Sequence, residues 1–136
     1  SGQYETEEKF EDDVLEPLLR HWGFKFQRQH PCNFTIGTQY HTCFIDFLVR
    51  DPKGTVTLFE DKIKILNDVQ LQNAVSQAKS YSLLLGINNF VIASPEGFWI
   101  YKLDKSNEIL LENISSDEFK EKEESMRELI LKLRNN

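Results

Sequence analysis

The chain of 136 residues has only two cysteines, Cys32 and Cys43, and three histidines. Small proteins held together by disulfides need more bridges than two cysteines can form, so this class is excluded. A tetrahedral zinc site would have to combine the cysteines with histidines, and neither CxxC nor HxxxH spacing is present. Free cysteines are simplest to explain in a reducing compartment, and we expect a cytoplasmic location.

Long apolar runs and nucleotide-binding signatures are also missing. No apolar stretch approaches the roughly 20 residues of a membrane-spanning helix, so we expect no membrane partner. The sequence contains no GxxxxGK[ST], which excludes a P-loop motor within it. The start, Ser1-Gly2, has no signal-peptide character, and residues 1–5 are expected to be disordered or a remnant of cloning.

The remaining composition fits one globular domain over residues 1–136. The chain is 40% hydrophobic and contains ten phenylalanines, which is enough for a core. Its net charge is −6, but residues 22–114 contain nine acids and nine bases, and the excess acids lie at the two ends. The net charge therefore does not exclude a DNA partner.

Hydrophobic periodicity and turn residues predict the order αβββαββα. The predicted helices cover residues 6–21, 68–85 and the segment from Ser115 onward, and the predicted strands cover 24–29, 43–50, 56–64, 90–93 and 98–103. The stretch that contains Pro31, Asn33 and Gly37 is expected to be irregular. Pro17 removes a hydrogen bond inside the first helix, so we expect a bend near Asp13.

The turn between the second and third strands sets their register. Pro52 and Gly54 suit a three-residue loop, with Gly54 in the left-handed region and Asp51 opposite Thr55. Leu48 then faces Leu58, Asp46 faces Glu60, and Phe44 faces Lys62 on one side of the sheet. A two-residue loop would instead place Asp46 opposite Phe59.

The three-residue loop puts two carboxylates side by side, with Cβ atoms about 5 Å apart. Opposed like charges are destabilising unless something compensates them. A divalent cation such as Mg²⁺ is the natural compensator, because it accepts carboxylates together with water and phosphate oxygens. Lys62 could also offset one charge without a metal.

These residues resemble those of a known superfamily. Asp46 followed by Glu60-Asp61-Lys62 resembles the D…(D/E)xK signature of the PD-(D/E)xK nucleases. Gln77 to Tyr81 on the next helix is similar to the QxxxY motif of the RecB-like branch. The start, from Glu11-Asp12-Asp13-Val14 to Trp22-Gly23-Phe24, resembles the N-terminal nuclease domain of type I restriction R subunits. The resemblance covers about residues 8–103.

The resemblance implies a restriction-endonuclease-like αβββαβ core, with a mixed central sheet flanked by helices and an extra amphipathic helix at residues 115–134. It further implies that Asp46, Glu60 and the backbone carbonyl of Asp61 hold Mg²⁺ or Mn²⁺, and that Lys62 positions or activates the attacking water. Metal-assisted hydrolysis of DNA phosphodiester bonds would follow. The expected partners are DNA and the motor and specificity parts of a restriction complex.

Other residues are candidates with ordinary structural alternatives. Glu11 shares a helical stripe with Val14 and Leu18, so it is expected to face the sheet near the metal and assist catalysis, with Glu7 and Glu8 as rivals. Early helix turns favour acids in any case. Gln77 and Tyr81 share a face that could meet the site or belong to the core. The candidates for DNA contacts are Tyr81 and a set of bases that could equally be solvated: Lys25, Arg28, Lys64 and Lys79.

The sequence also departs from the superfamily pattern. Ile45 stands where the naming proline would precede Asp46, and Asp61 occupies a position that usually carries an apolar or small residue. A buried acid there needs a partner or costs stability. A catalytically silent domain of the same fold, serving to bind nucleic acid or dock a protein, is therefore the alternative function. A small α/β protein with a salt bridge at Lys62 is a third.

Overall fold

The computed structural model describes residues 4–133, so residues 1–3 of the expected disordered start and residue 134 of the last predicted helix lie outside it. The fold is α/β, with one six-stranded mixed sheet in the order β1-β2-β3-β4-β5-β6. The elements are α1 (Glu7–Phe10), a π-helical segment (Glu11–Leu15), α2 (Glu16–His21), β1 (Lys25–Ile36), β2 (Gln39–Arg50), β3 (Val56–Asp61), α3 (Asp68–Leu85), β4 (Asn89–Ser94), β5 (Gly97–Asp104), β6 (Asn107–Ser115) and α4 (Phe119–Lys132).

Two apolar layers enclose the sheet. On one side, α1, α2 and α4 pack against strand residues that include Phe47 and Phe59, and Met126 of α4 is fully buried there. On the other side, α3 contributes Ala74 and Ala78 against Leu58 and its neighbours. Because Met126 is buried, the last helix, α4, is part of the core.

Strands β3 and β4 are parallel and joined through α3, whereas the other neighbouring pairs are antiparallel.

The first two strands are longer than the sequence analysis predicts. The predicted irregular stretch is wrong: β1 and β2 form a hairpin in which Ile36 pairs with Gln39. Gly37 has a φ of +62°, as the first central residue of a type II′ turn requires. Pro31 is tolerated because β1 is an edge strand and has one side free of ladder hydrogen bonds.

The predicted element order is also wrong by one strand, because β6 follows β5 as a hairpin partner. Lys105 adopts a left-handed φ of +59° in the turn between them. The Ser115–Glu118 capping box is present, with the Glu118 N–H donating to Ser115 Oγ and the Ser115 N–H donating to Glu118 Oε1. Helix α4 begins directly after it.

The first helix has its distortion where Pro17 predicts one. Thr6 caps the helix by accepting a hydrogen bond from the Lys9 N–H. The Glu16 N–H donates to the Glu11 carbonyl, five residues back, so this turn contains one residue more than an α-helical hydrogen-bonded turn. Pro17 lies in the first turn after the π-helical segment, where a missing N–H is tolerated.

Candidate metal centre

The turn between β2 and β3 is the predicted three-residue loop. The Asp51 N–H donates to the Thr55 carbonyl, the Gly54 N–H donates to the Asp51 carbonyl, and Gly54 has a φ of +89°. Leu48 pairs with Leu58, which confirms the predicted register and excludes the two-residue loop. The third hypothesis, a small α/β protein with a salt bridge at Lys62, assumed the two-residue loop, which is not the loop observed.

Strands β2 and β3 separate beyond the Phe47–Phe59 pair. The predicted pairings of Asp46 with Glu60 and of Phe44 with Lys62 are therefore not part of the ladder, while β3 continues beside β4. Asp46 keeps contact across the divergence by accepting a 2.9 Å hydrogen bond from the Asp61 N–H on Oδ2. The acids of the two strands thus lie where β2 and β3 separate.

Three carboxyl groups meet at this point of the sheet. Ligand oxygens of Glu7, Asp46 and Asp61 all lie within 4.8 Å of one another. Oxygens bound to one Mg²⁺ at about 2.1 Å are about 3 Å apart when adjacent and about 4.2 Å apart when opposite, so the three side chains would have to draw closer together around an ion. Helix α1 thus adds a ligand from outside the β2–β3 hairpin.

The side chain of Asp61 is the least satisfied group of the cluster. It is fully buried, and neither carboxyl oxygen accepts a hydrogen bond. Glu11 is its neighbour, and two carboxyl groups can form a hydrogen bond only if they share a proton. The sequence analysis assigned the metal contact of this residue to its backbone carbonyl, whereas the structure places its side chain in the cluster.

Burial and mutual repulsion raise the pKa values of three carboxyl groups of β2 and β3, namely Asp46, Glu60 and Asp61. Burial, with nearby Glu11 and Glu7, raises the pKa of Asp46 to about 6. Burial and then the charge of Asp46 raise the pKa of Glu60 to about 8. Burial and then the contact with Glu11 raise the pKa of Asp61 to about 12. The site therefore holds protons at neutral pH when no cation compensates its charge.

Lys62 lies on the α3 side of the cluster and is held by two groups. Its Nζ is 3.5 Å from Glu60 Oε2 and donates a 3.2 Å hydrogen bond to Gln77 Oε1. Gln77 in turn donates from Nε2 to the Tyr81 hydroxyl at 2.9 Å. The predicted residues Glu60, Lys62, Gln77 and Tyr81 therefore form one continuous polar chain.

Glu11 faces the sheet, as the sequence analysis expects, but it is already paired with Arg28. It is 4% exposed, and its Oε1 is 2.6 Å from Arg28 Nη2. Arg28 also binds Asp12 at 2.6 Å. Arg28, one of the candidates for DNA contacts, is thus paired with acids of the first helix.

Of the three lysines that are candidates for DNA contacts, Lys64 and Lys79 differ in their surroundings. Lys79 forms a 2.8 Å ion pair with Glu108 of β6, away from the carboxyl cluster. Lys64 is exposed and forms no ion pair with residues 4–133. Of these two predicted contacts, Lys64 alone is available to a phosphate as it stands.

Sequence reasoning treated Glu7 as a rival to Glu11 and did not identify Arg28 as the partner of Glu11. The available signal was their spacing: Glu7 and Glu11 are four residues apart and share one helix face. The comparisons found no match to this chain among protein-family models, curated proteins or solved structures. Among residues 4–133, no helix has the length and apolar character needed to cross a membrane.

Proposed function

We propose that this chain is a divalent-metal-dependent nuclease domain of the PD-(D/E)xK kind, which hydrolyses DNA phosphodiester bonds. The observation that carries the proposal is the fully buried, unpartnered carboxyl group of Asp61 beside Asp46 and Glu7. A buried carboxyl group without a partner is costly, and a cluster of such groups is typical of a site that binds a cation.

The donor set fits Mg²⁺ or Mn²⁺, since it consists of carboxylate oxygens alone. Glu7, Asp46 and Asp61 would hold the ion, with Glu60 adjacent to them. When bound, the ion supplies a lower pKa for a coordinated water and charge compensation for the phosphodiester under attack. Arg28 holds Glu11 in place beside Asp61 through its 2.6 Å contact.

Lys62 is the residue placed to handle the attacking water. An ammonium group has three N–H donors, and Glu60 and Gln77 account for two of them. The third donor is available to a water molecule or to a nonbridging phosphate oxygen. Gln77 is a positioning residue in this scheme, because it fixes the lysine and is itself held by Tyr81.

DNA as the substrate, and a restriction complex with motor and specificity parts as the partner, rest on the motif resemblance. The order of the motifs supports them: an acid on β2, Glu60-Asp61-Lys62 at the end of β3, and Gln77 with Tyr81 on α3. A fold does not by itself define a function, so the cleavage assay decides.

A catalytically silent module that binds nucleic acid or docks a protein is the second candidate. The observation that favours it is the proximity of Asp61 to Glu11, because two neighbouring carboxyl groups can share a proton without any metal. Five carboxyl groups also surround the site, against the two cations Arg28 and Lys62. A strongly acidic site repels DNA unless a cation is bound.

The test is nicking and linearisation of supercoiled plasmid with Mn²⁺, Mg²⁺ or EDTA. We expect metal-dependent cleavage that Lys62→Ala and Glu60→Ala abolish. Lys120→Ala is the matched control, because Lys120 is an exposed lysine outside the carboxyl cluster. Cleavage that persists in EDTA, or in Lys62→Ala, would contradict the proposed site. If the wild type binds Mn²⁺ by calorimetry, Asp46→Ala does not, and neither cuts, the silent module is the better account.

A further inference from the structure

Cys32 and Cys43 lie directly opposite each other in the β1–β2 hairpin. Opposed residues of an antiparallel pair have Cα atoms about 4.5–5.5 Å apart, which lies within the range that a disulfide spans. Their side chains point to the same face and are in contact, and the Cys43 thiol donates to the Cys32 carbonyl at 3.5 Å. Both cysteines are free thiols.

The same pair stands at the end of the polar chain that leads to Lys62. Tyr81 and Cys43 pack against the same apolar cluster, which contains Cys32, and Cys43 is one of the groups that raise the pKa of Tyr81. The Tyr81 hydroxyl accepts from Gln77 Nε2, and Gln77 Oε1 accepts from Lys62 Nζ. The donors therefore run from Lys62 through Gln77 to Tyr81, and the cysteine pair lies beside the end of this chain.

We infer that Cys32 and Cys43 are an oxidisable dithiol, and that a disulfide between them weakens the contact of Tyr81 that positions Gln77 and Lys62. In a disulfide the sulfur of Cys43 bonds to that of Cys32 at about 2.05 Å and no longer donates to the Cys32 carbonyl. Its position relative to the Tyr81 hydroxyl changes as a result. The effect on cleavage, though not the dithiol itself, rests on the proposed function.

Oxidised glutathione is a sufficient oxidant. Cys43 is partly exposed and Cys32 is buried, so the Cys43 thiolate attacks one glutathione sulfur, the glutathione disulfide breaks, and one glutathione thiolate leaves. Cys32 then attacks the Cys43 sulfur and releases the second glutathione. The two protons of the protein thiols end on the two reduced glutathiones, so the protein loses two electrons and the oxidant gains them.

The first test is intact-mass analysis of the full chain after equilibration with mixtures of oxidised and reduced glutathione. The wild type is expected to lose the mass of two hydrogen atoms and to resist alkylation, and dithiothreitol is expected to reverse both. Cys32→Ala is the matched control, since it can stop only at glutathione on Cys43. A wild type that stays dithiol, or that ends with bound glutathione, would overturn the inference.

The second test reads the coupling without relying on activity. In two-dimensional NMR spectra, the side-chain amide of Gln77 is expected to shift on oxidation, whereas that of Gln72, exposed on the same helix, is expected to stay in place. A disulfide that forms without moving the Gln77 signal refutes the coupling. This holds whether or not the protein cuts DNA.

The third test is plasmid cleavage by the reduced and oxidised forms. Oxidation is expected to slow cleavage about three- to tenfold, the effect of losing one hydrogen bond, with little change in KM. Cys32→Ala should be insensitive to the oxidant. Equal cleavage by both forms refutes the coupling to catalysis. If the reduced form does not cut, the proposed function has failed on its own, and the mass and NMR results still decide the dithiol.

Discussion

Replacement of Asp61 by asparagine should stabilise the metal-free protein and abolish its response to metal. The pKa of Asp61 is raised from its ordinary value of 3.8 to about 12, because the side chain is buried beside Glu11 and Asp46. A carboxyl group whose pKa is raised on folding contributes its full stability below pH 3.8 and loses it as the pH rises. From pH 3.8 to pH 7 the loss comes to about 4 kcal/mol, at about 1.4 kcal/mol for each pH unit.

Asparagine has nearly the same shape and no charge to lose, so Asp61→Asn should recover up to about 4 kcal/mol at pH 7. Its amide can also donate to the neighbouring Glu11. The amide is a weaker ligand for Mn²⁺ than a carboxylate. Mn²⁺ at 100 times its dissociation constant should stabilise the wild type by about 2.7 kcal/mol and the variant by far less.

The assay is urea unfolding at pH 5 and pH 8, with EDTA or with Mn²⁺. Asp51→Asn is the matched control, because Asp51 is also buried but accepts hydrogen bonds from the Lys53 and Thr55 N–H groups. Loss of that charge should destabilise the protein by about 1 kcal/mol. The explanation is refuted if Asp61→Asn is less stable than the wild type in EDTA at pH 8, or if Mn²⁺ stabilises both equally.

Three further substitutions test the framework of the site. Arg28→Ala leaves the buried Glu11 without its cation and should lower the free energy of unfolding by about 3 kcal/mol, whereas an unchanged urea midpoint would mean the pair contributes nothing. Gly97→Ala forces a Cβ into the Ile114 carbonyl at a φ of +150° and should lower the free energy of unfolding by more than about 2 kcal/mol. A variant as stable as the wild type would contradict this. Asn67→Ala removes the side chain that accepts from the Gln70 N–H and should cost about 1 kcal/mol by thermal unfolding, with no change in Mn²⁺ affinity.

Features set by neighbouring residues could be predicted from the sequence. Pro52 and Gly54 define the loop that fixes the β2–β3 register, and the loop hydrogen bonds are those expected. Helix α3 begins and ends where predicted, because Asn67 accepts from the Gln70 N–H and Gly86 adopts a left-handed φ of +71°. In these segments the local chemistry admits one structure.

Strand β6 and the second half of β1, which the sequence analysis did not predict, carry weaker local signals. Strand β1 begins as an alternating pattern, but Gln29 has a φ of +53° and Pro31 follows, so the pattern reads as a loop. Strand β6 is half-exposed along most of its length, and a β-bulge at Ile100 and Tyr101 interrupts its pairing with β5. Both strands are held mainly by pairing with a neighbour, and that neighbour is not visible in the sequence of the strand itself.

The site shows the same division between local and tertiary information. The loop fixes the register from Arg50 to Phe47, which is local, and so places Asp46 and Glu60 next to the last pair, whereas the separation of the strands beyond it is not local. Residues 5–16 contain seven acids, and each suits the first turns of a helix, so composition does not select among them.

Selection among these acids comes from how the first helix packs on the sheet. The π-helical turn ahead of Pro17 turns Glu11 inward, between Arg28 and Asp61. Glu7, one turn earlier, meets Asp46 and Asp61. Asp61 departs from the usual apolar residue at its position, and the same packing explains why: its side chain is buried at the one place where the helix brings other acids. A cation there would stabilise the fold and complete the site at once.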